Sequence, residues 1–273
     1  MMTKKSGTRV DPGLPLVSII TPSFNQVPFI AATIDSVLAQ DYPNIEYIVM
    51  DGGSTDGSAE VIARYADKLA WWVSEKDKGQ TDAINKGFAR AKGEIFAWLN
   101  SDDTYEPGAI RAAVDFLMAN PEVGMVYGDC NFIDEKGCKY AKFNAAQTDY
   151  EKLRRGYVHI PQQASFWRAD LWHKVAPLDD NFFFAMDYDL WTRFAKISKL
   201  RYLPGETWAN FRLHREAKSI AADKYCWDEM MRVHYREGGS FFSIINAKHL
   251  IRKVVAPWWN WQRRRKMDRG SRL

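Results

Sequence analysis

Apolar residues over the first hundred positions show two alternating textures, short continuous runs and stripes of helical spacing. The runs LVSIITP (16–22), IEYIVMD (45–51), AWWVSE (70–75) and the stretch Ile95, Phe96, Ala97, Trp98, Leu99 have the density of strands buried on both faces. Between them, residues 28–40 carry Ile30, Ile34, Val37 and Leu38 on one stripe, 57–69 carry Val61, Ile62 and Tyr65, and 80–91 carry Ala83, Ile84, Phe88 and Ala91. That spacing predicts three amphipathic helices. Strand and helix in this alternation imply right-handed crossovers and a largely parallel sheet across 16–103. After a helix near 107–119 the texture changes: VGMVYGDCNFID, EKGCKYAKF and ASFWR read as strands joined by turns, so the second half is a mixed α/β region.

All four early runs end on polar, turn-forming residues: TPSFNQ, DGGSTDGS, SEKDKGQTD and NSDD. In an open α/β sheet these ends line one edge, where a nucleotide lies. The fourth end delivers Asp102 and Asp103 from a rigid mount, a placement suited to a hard cation or a cationic group; the alternative is that the two acids only open a turn. The DGGSTDGS loop lacks the Lys of a P-loop, no GxGxxG opens the first helix, and an EF-hand starting at Asp51 fails because Gly57 is one position late and position 12 is Ile62. What remains is a carboxylate, Asp51, able to accept hydrogen bonds from a base or ribose, with Ser54 or Asp56 placed to cap the next helix.

Composition narrows the classes. At 273 residues and 46% hydrophobic, the chain can bury a substantial core. Its three cysteines, Cys130, Cys138 and Cys226, have neither CxxC nor Cys/His spacing, so neither a disulfide framework nor a structural zinc is expected. Residues 257–273 carry a net charge of +5 and the first 256 residues −1, so the overall +4 belongs to the tail and nucleic acid is not an expected partner. The basic N-terminus is followed by no apolar run and no stretch is long enough to span a bilayer, which sets the expectation of a cytoplasmic protein.

The segments VSIITPSFNQ, IEYIVMDGGSTDGS, DKGQTDAINKGFARAKGEIFAWLNSDD and FAMDYDLWTRF, in order over residues 16–215, together resemble the inverting family 2 glycosyltransferases of GT-A fold. The resemblance implies a single GT-A-type domain with a Rossmann-like nucleotide-sugar-binding half at 16–105 and an acceptor-binding half at 106–220; flanking it are an extension at 1–15 and a helical, Trp-rich, basic extension at 221–273. NSDD resembles the DxD motif that holds Mn²⁺ or Mg²⁺ on the diphosphate of a nucleotide sugar, with Asn100 in place of the first Asp, Ser101 between, and Asp102 and Asp103 as the expected ligands. By the same resemblance Asp51 meets the base, Pro22, Phe24 and Asn25 cradle it, and Lys78 and Asp82 contact the nucleotide. His214 resembles a histidine directed at the metal or diphosphate, and Gln162 and Gln163 are expected at the acceptor.

In FFFAMDYDLWTRF, Asp187 matches the catalytic base, with Met186 where the family has Glu; Asp189 is the alternative base, and ordinary helix-start chemistry also explains both acids. The implied reaction is an inverting hexosyl transfer from a nucleotide diphosphate sugar to a hydroxyl of a glycan or lipid-linked acceptor in cell-surface polysaccharide synthesis. The competing classes are a nucleotidyltransferase that makes the sugar nucleotide, and a non-catalytic GT-A-fold partner of a membrane glycan complex. Beyond residue 240 the pattern sets Ile244, Ile251, Val254 and Val255 on one helical side and Lys248, Arg252 and Lys253 on the other, followed by Trp258, Trp259, Trp261 and Arg263, Arg264, Arg265, Lys266. That arrangement suits the interface of an anionic membrane at the inner face of the cell membrane; the alternative is a terminal helix docked on the catalytic core with a disordered basic tail.

Overall fold

A computed structural model describes residues 13–214, 218, 226–243, 245–247 and 249–251. Its first half is the expected alternation: β1 (Val17–Ser23), α1 (Ile30–Leu38), β2 (Ile45–Asp51), α2 (Ser58–Ala63), β3 (Trp71–Ser74), α3 (Gln80–Arg90) and β4 (Ile95–Trp98). The four strands are parallel in the order β3-β2-β1-β4. Every residue of β1 and β4 is buried, as continuous apolar runs require when helices cover both faces. The stripe on α1 buries Ile30, Thr33, Ile34 and Val37 at helical spacing. The helix expected over 57–69 closes at Ala63, and a turn of 3-10 helix (Ala66–Lys68) leads into β3.

The second half continues the same sheet with mixed pairing. It comprises β5 (Thr104–Tyr105), α4 (Ala109–Ala119), β6 (Val123–Ile133), β7 (Lys139–Lys142), α5 (Tyr150–Leu153), β8 (Ser165–Arg168), α6 (Ala169–Val175), α7 (Met186–Ile197), β9 (Lys199–Arg212) and α8 (Cys226–Arg236). β8 runs antiparallel between β4 and β6, β9 lies parallel to β6, and β5 closes the far side of β9. The 14-residue β9 is absent from the sequence pattern because its register against β6 jumps from Tyr127↔Tyr202 to Asp129↔Thr207. Residues 203–206 bulge there around Pro204 and Gly205, which has a φ of +86°, so no alternation survives.

An aromatic layer lies between the two halves. Trp98 of β4 stacks on Trp191 of α7 with ring centroids 5.9 Å apart and 11° between planes, and both meet Trp167 of β8 edge-on. All three rings are buried. Trp98 lies four residues before Asp102 and Trp191 four after Asp187, so this layer fixes the strand and the helix that present the two expected acids.

Candidate active site

The carboxyl ends of β1 and β2 are stitched into one platform. Ser54 Oγ accepts from the Asn25 amide at 2.8 Å, Asn25 Oδ1 accepts from the Thr55 amide at 2.9 Å, and Asn25 takes φ +52° to do so. Pro22 is buried at the base of the platform, whereas the Phe24 ring is 59% exposed above it. Asp51 is buried and accepts from the amides of Gly53 (3.2 Å) and Ser54 (3.0 Å) and from the hydroxyls of Ser54 (2.5 Å) and Ser74 (2.6 Å). Three of these donors fall on Oδ2 and one on Oδ1, so Asp51 shapes its own loop and joins it to β3 while Oδ1 keeps acceptor capacity. Asp77 lies over this loop: a Cβ added at Gly52 would meet its Oδ2 at 2.7 Å, so the missing side chain lets that carboxylate approach. Burial raises the Asp77 pKa. Lys78 is exposed and its amide donates to Asp82, whose carboxylate also pairs with Lys86 at 2.9 Å; Asp82 thus holds the start of α3.

At the end of β4 the two neighbouring acids part company. Asp102 keeps a partly open side chain, and its Oδ2 lies 3.0 Å from Nε2 of buried His214. Asp103 is fully buried: Oδ1 accepts from the Arg212 amide at 2.8 Å, Oδ2 faces the Asn100 amide group at 3.3 Å, and the Gln163 side chain also donates to it. Burial and the charge of Asp102 push the Asp103 carboxyl well above the usual range. Arg212 organises the turn: its Nε donates to the Asp102 carbonyl at 2.8 Å and its Nη1 to the Asp134 carbonyl at 2.9 Å, which fixes the end of β9 two residues before His214. Phe29 packs on both, with its ring 4.7 Å from the His214 ring and 5.0 Å from the Arg212 guanidinium.

Gln162 and Gln163 sit behind this turn rather than before it. Gln162 donates to the Trp98 carbonyl at 2.7 Å and accepts from Asn100 at 3.2 Å, and both glutamines are buried. Their amides are consumed in bracing the strand end, beside Ser101, which is also buried. Asn100 Oδ1 in turn accepts from Gln80 Nε2 at 2.7 Å, and Gln80 Oε1 accepts from the Lys218 ammonium at 2.8 Å. A polar chain therefore runs from Asp103 through Asn100 and Gln80 to Lys218.

Lys218 leads to the head of α7. Burial pushes the Asp187 carboxyl up to about 6, against the Tyr188 amide, which donates to it at 2.7 Å, and the charge of Lys218, both of which favour the ionised form. Burial likewise pulls the Lys218 ammonium down to about 8, with Asp187 and Glu229 opposing. Asp189, one step round the helix, is fully buried between Arg193 (2.8 Å) and Arg236 (2.5 Å) and is a structural ion pair. Of the two acids in FAMDYDLW, only Asp187 stands beside the polar chain.

Among the described residues no three His, Cys, Asp or Glu side chains cluster into a ready metal cage. Asp102 and His214 supply one carboxylate and one imidazole, donor types that fit a divalent ion completing its shell with phosphate oxygens and water.

Residues 18–172 match the family model described as Glycosyl transferase family 2. The chain belongs to that family. This family 2 chain is 33% identical over 209 residues to the uncharacterized glycosyltransferase RT0329 of Rickettsia typhi, covering 73% of this chain and 64% of that protein. It is 33% identical over 186 residues to the uncharacterized glycosyltransferase Rv1514c of Mycobacterium tuberculosis, covering 67% and 70%. The chain spans 33% of a further relative, from Rickettsia felis, so it is shorter than several of the proteins it matches. Its sheet and helices are those of the GT-A fold: S. aureus TarS 1-349 in complex with UDP-GlcNAc superimposes with a TM-score of 0.65 at 17% identity, over 81% of this chain and 66% of that one. The mannosyltransferase PcManGT from Pyrobaculum calidifontis in complex with GDP-Man and Mn²⁺ gives 0.63 at 21% identity, over 90% and 73%.

Sequence reasoning passed over Asp77, Gln80, Arg212, Lys218 and Glu229. Asp77 and Gln80 stand in the quoted SEKDKGQTD strand end, where Gly79 at φ +113° marks a shaped loop. Nothing local distinguishes Arg212, Lys218 or Glu229, whose partners lie across the fold. The Trp and Arg residues from 258 to 266, together with Ile244, Lys248 and positions 252–255, lie outside the described residues.

Proposed function

We infer that this family 2 chain moves a sugar from a nucleotide diphosphate sugar to an acceptor hydroxyl with inversion at the anomeric carbon. The observation that carries the reading is Asp187: a half-buried carboxyl raised to about 6 at the head of a helix, within the field of the Lys218 ammonium, from which Gln80 and Asn100 lead to the strand end that presents Asp102 and His214. A base poised near neutral pH is what proton removal from a hydroxyl needs. The proton passes to Asp187 as the acceptor oxygen bonds to the anomeric carbon, while the bond from that carbon to the phosphate oxygen breaks and its electron pair leaves with the diphosphate. Asp102 and His214 would hold the divalent ion, and Asp103 is spent as the buried brace that sets Asp102. When bound, the ion offsets the charge that accumulates on the diphosphate. The Asp51 loop and Asp77 form the edge that receives the nucleoside, with Phe24 above it. The donors in the solved neighbours, UDP-GlcNAc and GDP-Man, support a nucleotide sugar as the class of donor.

The acceptor is read as a glycan or lipid-linked hydroxyl at a membrane surface. Among the described residues no helix is long and apolar enough to cross a bilayer, but Phe241 (60%), Phe242 (94%) and Ile251 (62%) are exposed just ahead of the Trp-rich, +5 tail. The test is to incubate purified protein and Mn²⁺ or Mg²⁺ with a panel of nucleotide sugars and to follow nucleotide diphosphate release and the anomeric configuration of the product. Release with one donor, dependent on the ion, supports the reading; no release from any donor with any acceptor counts against it.

A further inference from the structure

The segment ahead of α7, FFFA (182–185), has three consecutive main-chain amides that no helix can satisfy, because they precede its first turn. All three donate to one side chain. Glu229 of α8 accepts from Phe183 N at 2.9 Å, Phe184 N at 2.7 Å and Ala185 N at 2.8 Å, and it is buried. The same helix and the turn after it fix α7 further along, through Arg236 to Asp189 and Glu237 to Lys196, and the Arg232 guanidinium of α8 stands 5.0 Å over the Phe182 ring. From the opposite side Thr81 Oγ1 donates to the Phe182 carbonyl at 3.3 Å and meets Met186 Sδ at 3.4 Å. The chain entering Asp187 is thus gripped between the nucleotide-binding half and α8.

A buried carboxylate is a costly way to fill a helix–helix contact, and apolar residues of similar volume often serve stability as well or better. What an apolar residue cannot do is hold three successive amides at fixed positions. The other contacts on this segment, Thr81 on the Phe182 carbonyl and the cations over the Phe182 and Phe183 rings, leave these three amides to Glu229.

We propose that Glu229 is the positioning residue for Asp187: by binding the amides of 183–185 it sets where the base points and how dry it stays. The proposal rests on reading Asp187 as the base. The charged groups facing Glu229 are Arg232, at 3.8 Å, and Lys218; Lys218 is the one that faces Asp187.

The test uses the full chain with its donor and acceptor, and compares Glu229→Gln and Glu229→Asp with wild type and Asp187→Asn. In Glu229→Gln the base is displaced but still present, so kcat falls by about tenfold or more while the donor KM stays within about twofold. The acid limb of kcat moves to lower pH as water reaches Asp187, and amide exchange at 183–185 accelerates. Glu229→Asp keeps the carboxylate and recovers part of each effect. A folded Glu229→Gln protein with wild-type kcat and an unmoved acid limb, alongside an inactive Asp187→Asn protein, overturns the proposal. Should Glu229→Gln not fold, Glu229→Asp carries the same two readouts with the same meaning. Normal turnover by Asp187→Asn would instead sink the assignment of the base, and it is seen without either Glu229 variant.

Discussion

Trp98 and Trp191 lie face to face, 5.9 Å apart at 11°, and so join the strand that leads to Asp102 to the helix that carries Asp187 in its first turn. The stack turns two halves of different texture into one core, with each ring also set against Trp167. Trp191→Ala removes a buried ring from both contacts, and the expected loss is about 3–5 kcal/mol of unfolding free energy. Urea denaturation checks it; a change below about 1 kcal/mol would mean that the layer is not the junction described.

Asp102 and Asp103 are adjacent but expected to behave differently on substitution. Asp102→Asn and His214→Ala each remove an atom from the proposed ion site, and each should weaken Mn²⁺-dependent donor binding by about 10- to 100-fold in calorimetry. Asp103→Asn keeps a buried group of the same shape, so its main effect should fall on stability. If Asp103→Asn alone abolished ion-dependent binding, the two roles would have to be exchanged.

Gly52→Ala places a methyl 2.7 Å from Asp77 Oδ2, a contact relieved only by moving that carboxylate off the strand-end edge. The expected outcome is a raised donor KM with little change in melting temperature. An unchanged KM would show that Asp77 takes no part in nucleoside binding.

The parallel half was legible because its strands are buried on both faces: VSIITPS and IFAW are continuous apolar runs, and α1 carries its stripe at helical spacing. The acids at strand ends were legible for the same reason, since Asp51 closes one such run and Asp102 stands three residues after Leu99, the last of another. β9 was not, because a bulge at 203–206 breaks its pattern. Neither was the division of labour between Asp102 and Asp103, which depends on Arg212, 109 residues further on. The burial of Gln162 and Gln163 came from the same nonlocal packing, and so did the contact of Glu229 with 183–185.

The raised pKa of Asp187 has consequences for both activity and stability. Turnover should rise with pH through about 6, as the carboxyl loses its proton. The folded state holds that proton more tightly than the unfolded chain, whose value is near 3.8, so the group's contribution to stability is fully present below about 4 and lost as pH rises through about 6. Asp187→Asn, neutral throughout, should therefore melt higher than wild type at pH 7.5 and equal it near pH 4. A lower melting temperature for the variant at pH 7.5 would contradict the desolvation of the charge.

The basic tail should bind anionic vesicles. Full-length protein is expected to sediment with phosphatidylserine-containing liposomes at low salt, and a chain ending at Ala256 to lose most of that binding while still consuming its donor. Equal binding by both would remove the tail from membrane attachment.

The most direct measurement is donor affinity and turnover of Asp187→Asn beside Asp189→Asn, with Mn²⁺ and the donor found active. The account predicts that Asp187→Asn binds the nucleotide sugar as wild type does and turns over about 10²-fold or more slowly, because a proton acceptor has gone and no binding group with it. It predicts that Asp189→Asn loses stability through Arg193 and Arg236 but keeps measurable transfer per folded molecule. Near-normal turnover by Asp187→Asn, or its expected phenotype appearing in Asp189→Asn instead, would contradict the account.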